Sequence, residues 1–505
     1  MTRGSRALAR PEPALFALLF GAYAFFYQAG GFNQNSRFDL VRAVVEQGTV
    51  RIDALHENAG DKAYHAGHYY SDKAPGSSLL GLPAYALADH FNHGAPPSEE
   101  FLNDAAYWTT LTSIALPSAL GALALCSLAG LLGMSLGARV VLTLATGLGT
   151  LAFPYSTLLY GHQLCAALLI GAFWLLARVR HRASPRPERD LFFAGLLLGL
   201  AFMTEYTAAL AIAVLGLYAL SFLRSWARLG WLSLGAAIPL LALALYHTDA
   251  FGGPLAFPYS YSTQVHRHLG VVLGMSMPAP MVLGRLLFGP YRGLFYSAPW
   301  LIAAAPGAAM FWASRHRAEG LVSLAIVASL VCLNATLIDW EGGWTFGARY
   351  LIPAIPFLAL LALGRAPSGR SAASLIFWTL AGTLIAISMA MMLVATSVQP
   401  QMDLRLAEPF PELWRHFFDG ELSRSTHSID RFGALPPGDR RFAWNLGEKL
   451  GLAGLASLVP LGVYLLATGT WLWWTVRRSL RQEAASAIAP SSASTKSRAL
   501  SAPAS

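Results

Sequence analysis

This sequence is short of charge. Only 12% of its 505 residues are Asp, Glu, Lys or Arg, against 55% that are apolar. A soluble chain of this length could not cover its surface with so few ionised side chains, which excludes an ordinary water-soluble domain. Cysteine is scarcer still. Cys126, Cys165 and Cys332 each sit inside an apolar run and far apart, so neither a disulfide framework nor a cysteine metal site is expected. A convincing internal repeat is also missing, and the ionisable residues fall mostly at the ends of apolar runs. A transporter built on repeats and interrupted helices would show the opposite.

Long apolar runs are what the sequence has in abundance. The mean hydropathy is +0.47, and the runs approach the ~20 residues that a helix needs to cross ~30 Å of hydrocarbon. Backbone groups in lipid must be satisfied within their own segment, so such runs read as helices. Spans are expected at 14–32, 107–134, 139–158, 161–177, 191–204, 207–222 and 229–247, then at 288–312, 321–338, 350–364, 372–397 and 451–476. The fold class is therefore an all-α polytopic membrane protein with about 12–13 transmembrane helices. Arg3, Arg6 and Arg10 precede the first run and no small-residue cleavage pattern follows it, so it is read as an uncleaved span. The run 76–91 is short for a crossing and is expected as a re-entrant or tilted helix at the outer face.

The net charge of +9 is a topology signal. Basic residues gather at 178–189, Arg224/Arg228, Arg315/Arg317, Arg365/Arg370 and Arg477/Arg478, all on one side if the spans hold, and that side is cytoplasmic. Nucleic acid is not needed to explain them. The opposite side receives four longer segments, 33–106, 248–287, 339–349 and 398–450. The polytopic domain spans 1–480. The Ala/Ser-rich stretch 481–505 is expected to be a disordered cytoplasmic tail. The basic start and the high Ala and Arg content fit a bacterial inner-membrane protein whose chemistry faces the periplasm.

Motifs that carry chemistry lie in the outer segments. Asn33-Gln34-Asn35-Ser36-Arg37-Phe38-Asp39 opens an amphipathic helix that could lie along the membrane surface. Asp72-Lys73 precedes Pro75-Gly76 and places a carboxylate and an ammonium at the lipid–water boundary. Asp339-Trp340-Glu341-Gly342-Gly343-Trp344 continues to Arg349-Tyr350-Leu351-Ile352-Pro353. Its glycines permit backbone close to a ligand, its tryptophans suit a sugar or an interfacial belt, and Arg349 is placed for a phosphate. Arg292 occupies a similar helix-end position. Glu205, at the turn between two short spans, suggests a cavity entering the membrane. Each also has a structural reading: arginines at helix ends snorkel, Asp72-Lys73 is a local ion pair, and Asp39 is one polar face of a helix. His56, His65 and His68 have no spacing that fits a metal site.

The order of these elements resembles the GT-C membrane glycosyltransferases: a first span, an outer loop with surface helices, an Asp-Lys entry to an apolar helix, and a late Gly-x-Arg-Tyr-Leu-x-Pro-Ala-x-Pro element. Protein O-mannosyltransferases and lipid A aminoarabinose transferases are the members it looks most like. The resemblance implies a GT-C-like bundle and transfer of a hexosyl or pentosyl group, with inversion, from a polyprenyl-phosphate donor to an acceptor hydroxyl on a lipid, glycan or protein. It implies Lys73 and Arg349, helped by Arg292, as donor-phosphate ligands. Asn33, Gln34, Asn35, Arg37, Glu205, Trp340, Glu341 and Trp344 are expected as substrate-binding residues. Family members place an acidic general base just after the first span, where this sequence reads Asn33-Gln34-Asn35. Asp39 is the first candidate for that base and Asp72 the second. No cofactor is expected, although a divalent ion on Asp39 and another carboxylate would be compatible with the superfamily. The rival readings are a transporter or flippase for a lipid-linked substrate, a polysaccharide polymerase or ligase, and a non-catalytic scaffold.

Overall fold

A computed structural model describes residues 10–93, 95–270, 274–367, 369, 371–425, 427–430 and 442–488. Arg3, Arg6 and Arg370, parts of the outer segments 248–287 and 398–450, and the tail from 489 onward lie outside the described residues. Helices dominate the chain, as the unbroken apolar runs require. Among the described residues, 6 helices are long and apolar enough to cross a membrane: Glu99–Leu131, Gly161–Arg180, Trp226–Phe251, Arg317–Thr336, Ala372–Val398 and Gly454–Gln482. The other expected spans are shorter helices, such as Pro11–Ala24, Leu136–Leu148 and Pro187–Thr204, or are broken. The run 288–312 divides into Leu294–Ser297, Pro299–Ala303 and Ala304–Trp312 because Pro299 has no N–H to continue a helix. The final helix continues to Ile488, into the segment expected to be a disordered tail.

Burial sorts the long helices by position. Gly161–Arg180 is 83% buried over its apolar window, whereas Ala372–Val398 is 22% and Gly454–Gln482 is 17% buried. The first is the central pillar and the others are peripheral, with Leu380, Val463 and Leu466 exposed on their outer faces. Such apolar exposure suits hydrocarbon surroundings. Pro187–Thr204 and Trp226–Phe251 touch backbone to backbone at Gly195 and Gly235, where an added Cβ would meet a carbonyl oxygen at 1.9 Å. Small residues at a membrane-helix crossing allow that approach.

The loops sort into two ends, as the charge pattern implies. Arg180 lies 3.4 Å from Glu319 and Arg228 lies 3.9 Å from Glu188, so the basic stretches at 178–189, Arg224/Arg228 and Arg315/Arg317 come together at one end. At the other end the outer segments fold over one another. The strand Phe26–Gln28 pairs antiparallel with Ala443–Asn445, joining the exit of the first helix to the entrance of the last. The helix Phe32–Gln47 forms as expected, but it is enclosed: every residue from Asn33 to Ala43 is buried, and only its final turn reaches solvent. Gly76–Phe91 is a single helix beside it, with the Tyr85 ring edge-on to Phe38 at 5.3 Å.

Candidate active site

One wall of the site is built by a hairpin. Lys62–His65 and His68–Ser71 pair with Lys62 opposite Ser71. The intervening Ala66-Gly67 has positive φ at both positions, 51° and 88°, the backbone twist that suits a tight two-residue turn. That register sets Asp61 and Asp72 side by side where the two strands leave the ladder. The Lys73 ammonium lies 3.0 Å from Asp61 Oδ2 and 3.0 Å from Asp72 Oδ1. Burial by itself lowers Lys73, but the two carboxylates outweigh it and hold the ammonium above its ordinary value. Burial likewise raises Asp61, yet Lys73, helped by Arg349 and Arg267, pulls it below the usual carboxyl value. Both groups are charged at neutral pH.

The opposing wall is the loop from Asp339 to Arg349. Gly342 has φ +77°, and a Cβ there would sit 2.8 Å from Arg349 Nε, so the loop closes over the arginine only because this residue is glycine. Arg349 stacks over Tyr160 and Tyr350, 5.2 and 4.9 Å from the ring centroids. Arg267, from the segment before the 280–288 helix, stacks 4.3 Å over Tyr259. Neither guanidinium lies within ion-pair distance of a carboxylate among the described residues, and each has a buried Nε with no hydrogen-bond partner. Arginine cannot shed its charge. Two buried guanidinium groups with donors unspent therefore define an anion site.

A proton acceptor stands beside it. Arg349 donates to the Tyr350 hydroxyl at 3.3 Å, and that hydroxyl donates to Asp339 Oδ2 at 2.8 Å. Oδ1 of Asp339 has no hydrogen-bond partner. His266 approaches Oδ2 to 3.5 Å; burial lowers its pKa more than Asp339 raises it, so the imidazole is neutral at pH 7. These groups line a cavity of about 440 Å³ that also admits Asn33, Glu341 and Trp344. Trp344 meets His427 edge-on at 4.9 Å and supplies an apolar face.

The sequence-predicted residues divide accordingly. Lys73, Arg349, Asn33, Glu341 and Trp344 line the cavity. Asp39, expected as the base, does not. It is fully buried behind the wall, where Asn58 donates to its Oδ1 at 3.0 Å, and burial pushes its pKa up to about 8. Asp72 is also fully buried and is held by Lys73 and by Ser262, whose hydroxyl donates at 2.9 Å. Arg292 stacks 3.9 Å over Tyr291 and donates to the Glu341 and Gly343 carbonyls at 3.2 and 3.3 Å, so it braces the glycine loop from outside. Gln34 donates to the Gly30 carbonyl at 2.8 Å and accepts from the Leu159 amide at 2.8 Å. Asn35 donates to the Asn58 and Ser428 carbonyls at 2.9 Å each. Arg37 forms a buried ion pair with Glu205 at 2.9 Å and donates to Asn33 Oδ1 at 3.0 Å, a strut under the cavity floor. Trp340 packs edge-on to Tyr291 at 6.3 Å.

Sequence reasoning missed Asp61, Arg267, His266, Tyr160 and Asp339. Asp339 opens a motif already singled out for its glycines, and His266-Arg267-His268 is a basic triplet within an outer segment; both were visible signals. At the cavity, no set of three His, Cys, Asp or Glu side chains among the described residues comes within metal-binding distance.

No protein-family model matches this sequence, and neither does any curated protein. Among solved structures, ArnT from Cupriavidus metallidurans bound to undecaprenyl phosphate aligns with a TM-score of 0.52 and 14% identity, covering 95% of this chain and 76% of that one. Apo ArnT gives a TM-score of 0.48 at 16% identity over 91% of this chain and 73% of that one. The Archaeoglobus fulgidus oligosaccharyltransferase gives 0.46 at 12% identity over 78% of this chain and 57% of that one. At such identities the likeness is one of architecture, and of the three only ArnT bound to undecaprenyl phosphate exceeds a TM-score of 0.5. From end to end, then, this polytopic membrane chain shares the fold of ArnT, with which it aligns over 95% of its length.

Proposed function

We propose that the protein is a glycosyltransferase that moves a hexosyl or pentosyl group, with inversion, from a polyprenyl-phosphate donor to an acceptor hydroxyl at the periplasmic face of a bacterial inner membrane. The acceptor is a lipid, glycan or protein. One observation carries the reading: buried Arg267 and Arg349, with donors unspent, share a cavity with Lys73 and with an unpaired oxygen of Asp339. The fold, and the undecaprenyl phosphate bound by ArnT, support it.

In this reading the donor phosphate sits against Arg349, Arg267 and Lys73. The acceptor oxygen attacks the anomeric carbon on the side opposite the phosphate. The new C–O bond forms as the bond to the phosphate oxygen breaks, and the acceptor's proton passes to a carboxylate. Asp339 takes that role in place of Asp39, because it lines the cavity, is oriented by Tyr350 and keeps one oxygen free. Asp61 is less suited, being clamped between Lys73 at 3.0 Å and Gln264 at 3.3 Å. A phosphate leaves as a stable anion, so the cations contribute by stabilising developing charge rather than by protonating it.

The test supplies purified protein with a radiolabelled polyprenyl-phosphate sugar and a membrane extract as acceptor source. Wild type transfers label; Asp339→Asn loses at least 100-fold in rate while still binding donor. Full transfer by Asp339→Asn would remove it as the base. A wild-type protein that moves donor across vesicles without transferring label would instead be a flippase.

A further inference from the structure

The end of the bundle opposite the cavity carries a cluster that transfer chemistry does not use. His181 follows the last residue of the central helix Gly161–Arg180. His316 precedes Arg317–Thr336, and Glu319 lies in that helix's first turn. The central helix separates this cluster from Tyr160 at the cavity by roughly 30 Å. His181 Nε2 lies 3.0 Å from Glu319 Oε1, and His316 Nδ1 lies 3.8 Å from Glu319 Oε2. The imidazole rings are 5.3 Å apart, and one ligand atom from each of the three residues falls within 4.8 Å of the other two. We propose that His181, His316 and Glu319 form a second site, for a single divalent transition-metal ion of the zinc class.

Burial supplies the first argument. Glu319 is 1% and His316 3% exposed, so neither is a solvated surface group met by chance. The second is that His316 Nδ1 is buried with no hydrogen-bond partner, although it faces a carboxylate oxygen. A nitrogen and an oxygen that face each other beyond hydrogen-bond reach leave a gap of the size an ion closes. Tetrahedral zinc, with bonds of about 2.1 Å, sets its ligand atoms about 3.4 Å apart. The observed separations, 3.0 Å from His181 to Oε1 and 3.8 Å from His316 to Oε2, lie on either side of that spacing, each imidazole facing a different oxygen of the carboxylate. Two imidazoles, a carboxylate and a fourth position for water make a donor set that suits zinc over magnesium or calcium.

The neighbours of the cluster define what binding must displace. Glu319 Oε1 also accepts from the Tyr218 hydroxyl at 2.8 Å and lies 3.4 Å from Arg180 Nε. Arg315 Nε donates to His316 Nε2 at 3.0 Å, which puts the imidazole proton on Nδ1. An incoming ion takes the Nδ1 lone pair, the ring proton moves to Nε2, and Arg315 is released because Nε2 no longer accepts. Arg180, with 28% of its side chain exposed, can turn to solvent. Tyr218 can stay as a donor to the ligating carboxylate and orient it. The ion would tie the central helix to Arg317–Thr336 at the end away from the cavity.

The test uses the full chain in detergent, without a polyhistidine tag and stripped with EDTA, titrated with zinc by calorimetry and by competition with a chromophoric chelator. One ion per chain is expected, with affinity at least tenfold weaker in His316→Ala and in Glu319→Gln. Zinc should raise the Tm of wild type and leave that of His316→Ala unmoved. Glu319→Gln weakens the acceptor of Arg180 and Tyr218 and can misfold, so His316→Ala reads the site independently. His65→Ala/His68→Ala, at the outer hairpin, should leave stoichiometry and affinity unchanged. A wild-type chain that binds no zinc, or a His181→Ala/His316→Ala variant that binds it as tightly as wild type, would overturn the proposal.

Discussion

Replacing Asp39 with Asn asks what the buried carboxyl does. Asp39 is wholly buried; its Oδ1 accepts from Asn58 at 3.0 Å and its Oδ2 has no partner. Burial raises its pKa from 3.8 to about 8, against weaker lowering by Asn58 and Arg42. The folded chain thus keeps a proton that the unfolded chain has already released. The stability this group contributes is full below pH 3.8 and is lost as pH rises through 8. Each pH unit in that window costs about 1.4 kcal/mol. Between pH 6 and pH 8 the wild type should lose about 2 kcal/mol relative to Asp39→Asn, since the slope flattens near the upper pKa. The amide keeps the oxygen that Asn58 bonds and never ionises. Denaturant unfolding of both proteins in detergent at pH 6, 7, 8 and 9 reads the effect. The gap should widen in favour of the variant up to pH 8 and then level off, with sugar transfer retained. A gap that stays constant with pH would refute the burial argument. Loss of transfer in a well-folded variant would return Asp39 to the reaction.

Other perturbations reach the cavity itself. Gly342→Ala puts a methyl group 2.8 Å from Arg349 Nε at φ +77°; transfer should fall about tenfold and stability by about 1–2 kcal/mol, read as kcat/KM and by denaturant unfolding. Arg349→Lys loses the stack over Tyr160 and Tyr350 and should weaken donor binding at least tenfold in a direct titration. Arg37→Met leaves Glu205 buried without its arginine and should cost about 3–5 kcal/mol, much of it recovered when Glu205→Gln is added, as a double-mutant cycle would show.

The helical membrane architecture was legible because lipid leaves the backbone few choices: an apolar run must satisfy its own hydrogen bonds. That Lys73 and Arg349 line the cavity follows a sequence cue: each lies within two residues of a Pro or Gly, where the chain turns at a helix entrance. The helix beginning at Asn33 was legible as a helix but not as an enclosed one. Its polar residues have the same spacing whether they face water or protein, and the partners that enclose them, Asn58 and Ser428, are remote in sequence. Arg267 and Asp61 were illegible for a related reason. Each lies in a stretch without periodicity and gains its meaning from long-range packing, Arg267 against Tyr259 and Asp61 against Lys73 across a hairpin.

The closure between Phe26–Gln28 and Ala443–Asn445 has a bearing on biogenesis. Asn35 reaches a carbonyl 393 positions later, and Gly30 accepts from Gln401 at 2.8 Å. A polypeptide emerging amino-terminus first must therefore hold its opening outer helix unroofed until almost the whole chain has been inserted. The chamber comes into being with the arrival of the last outer segment, so a prematurely terminated product would present bare polar side chains and no enclosed cavity.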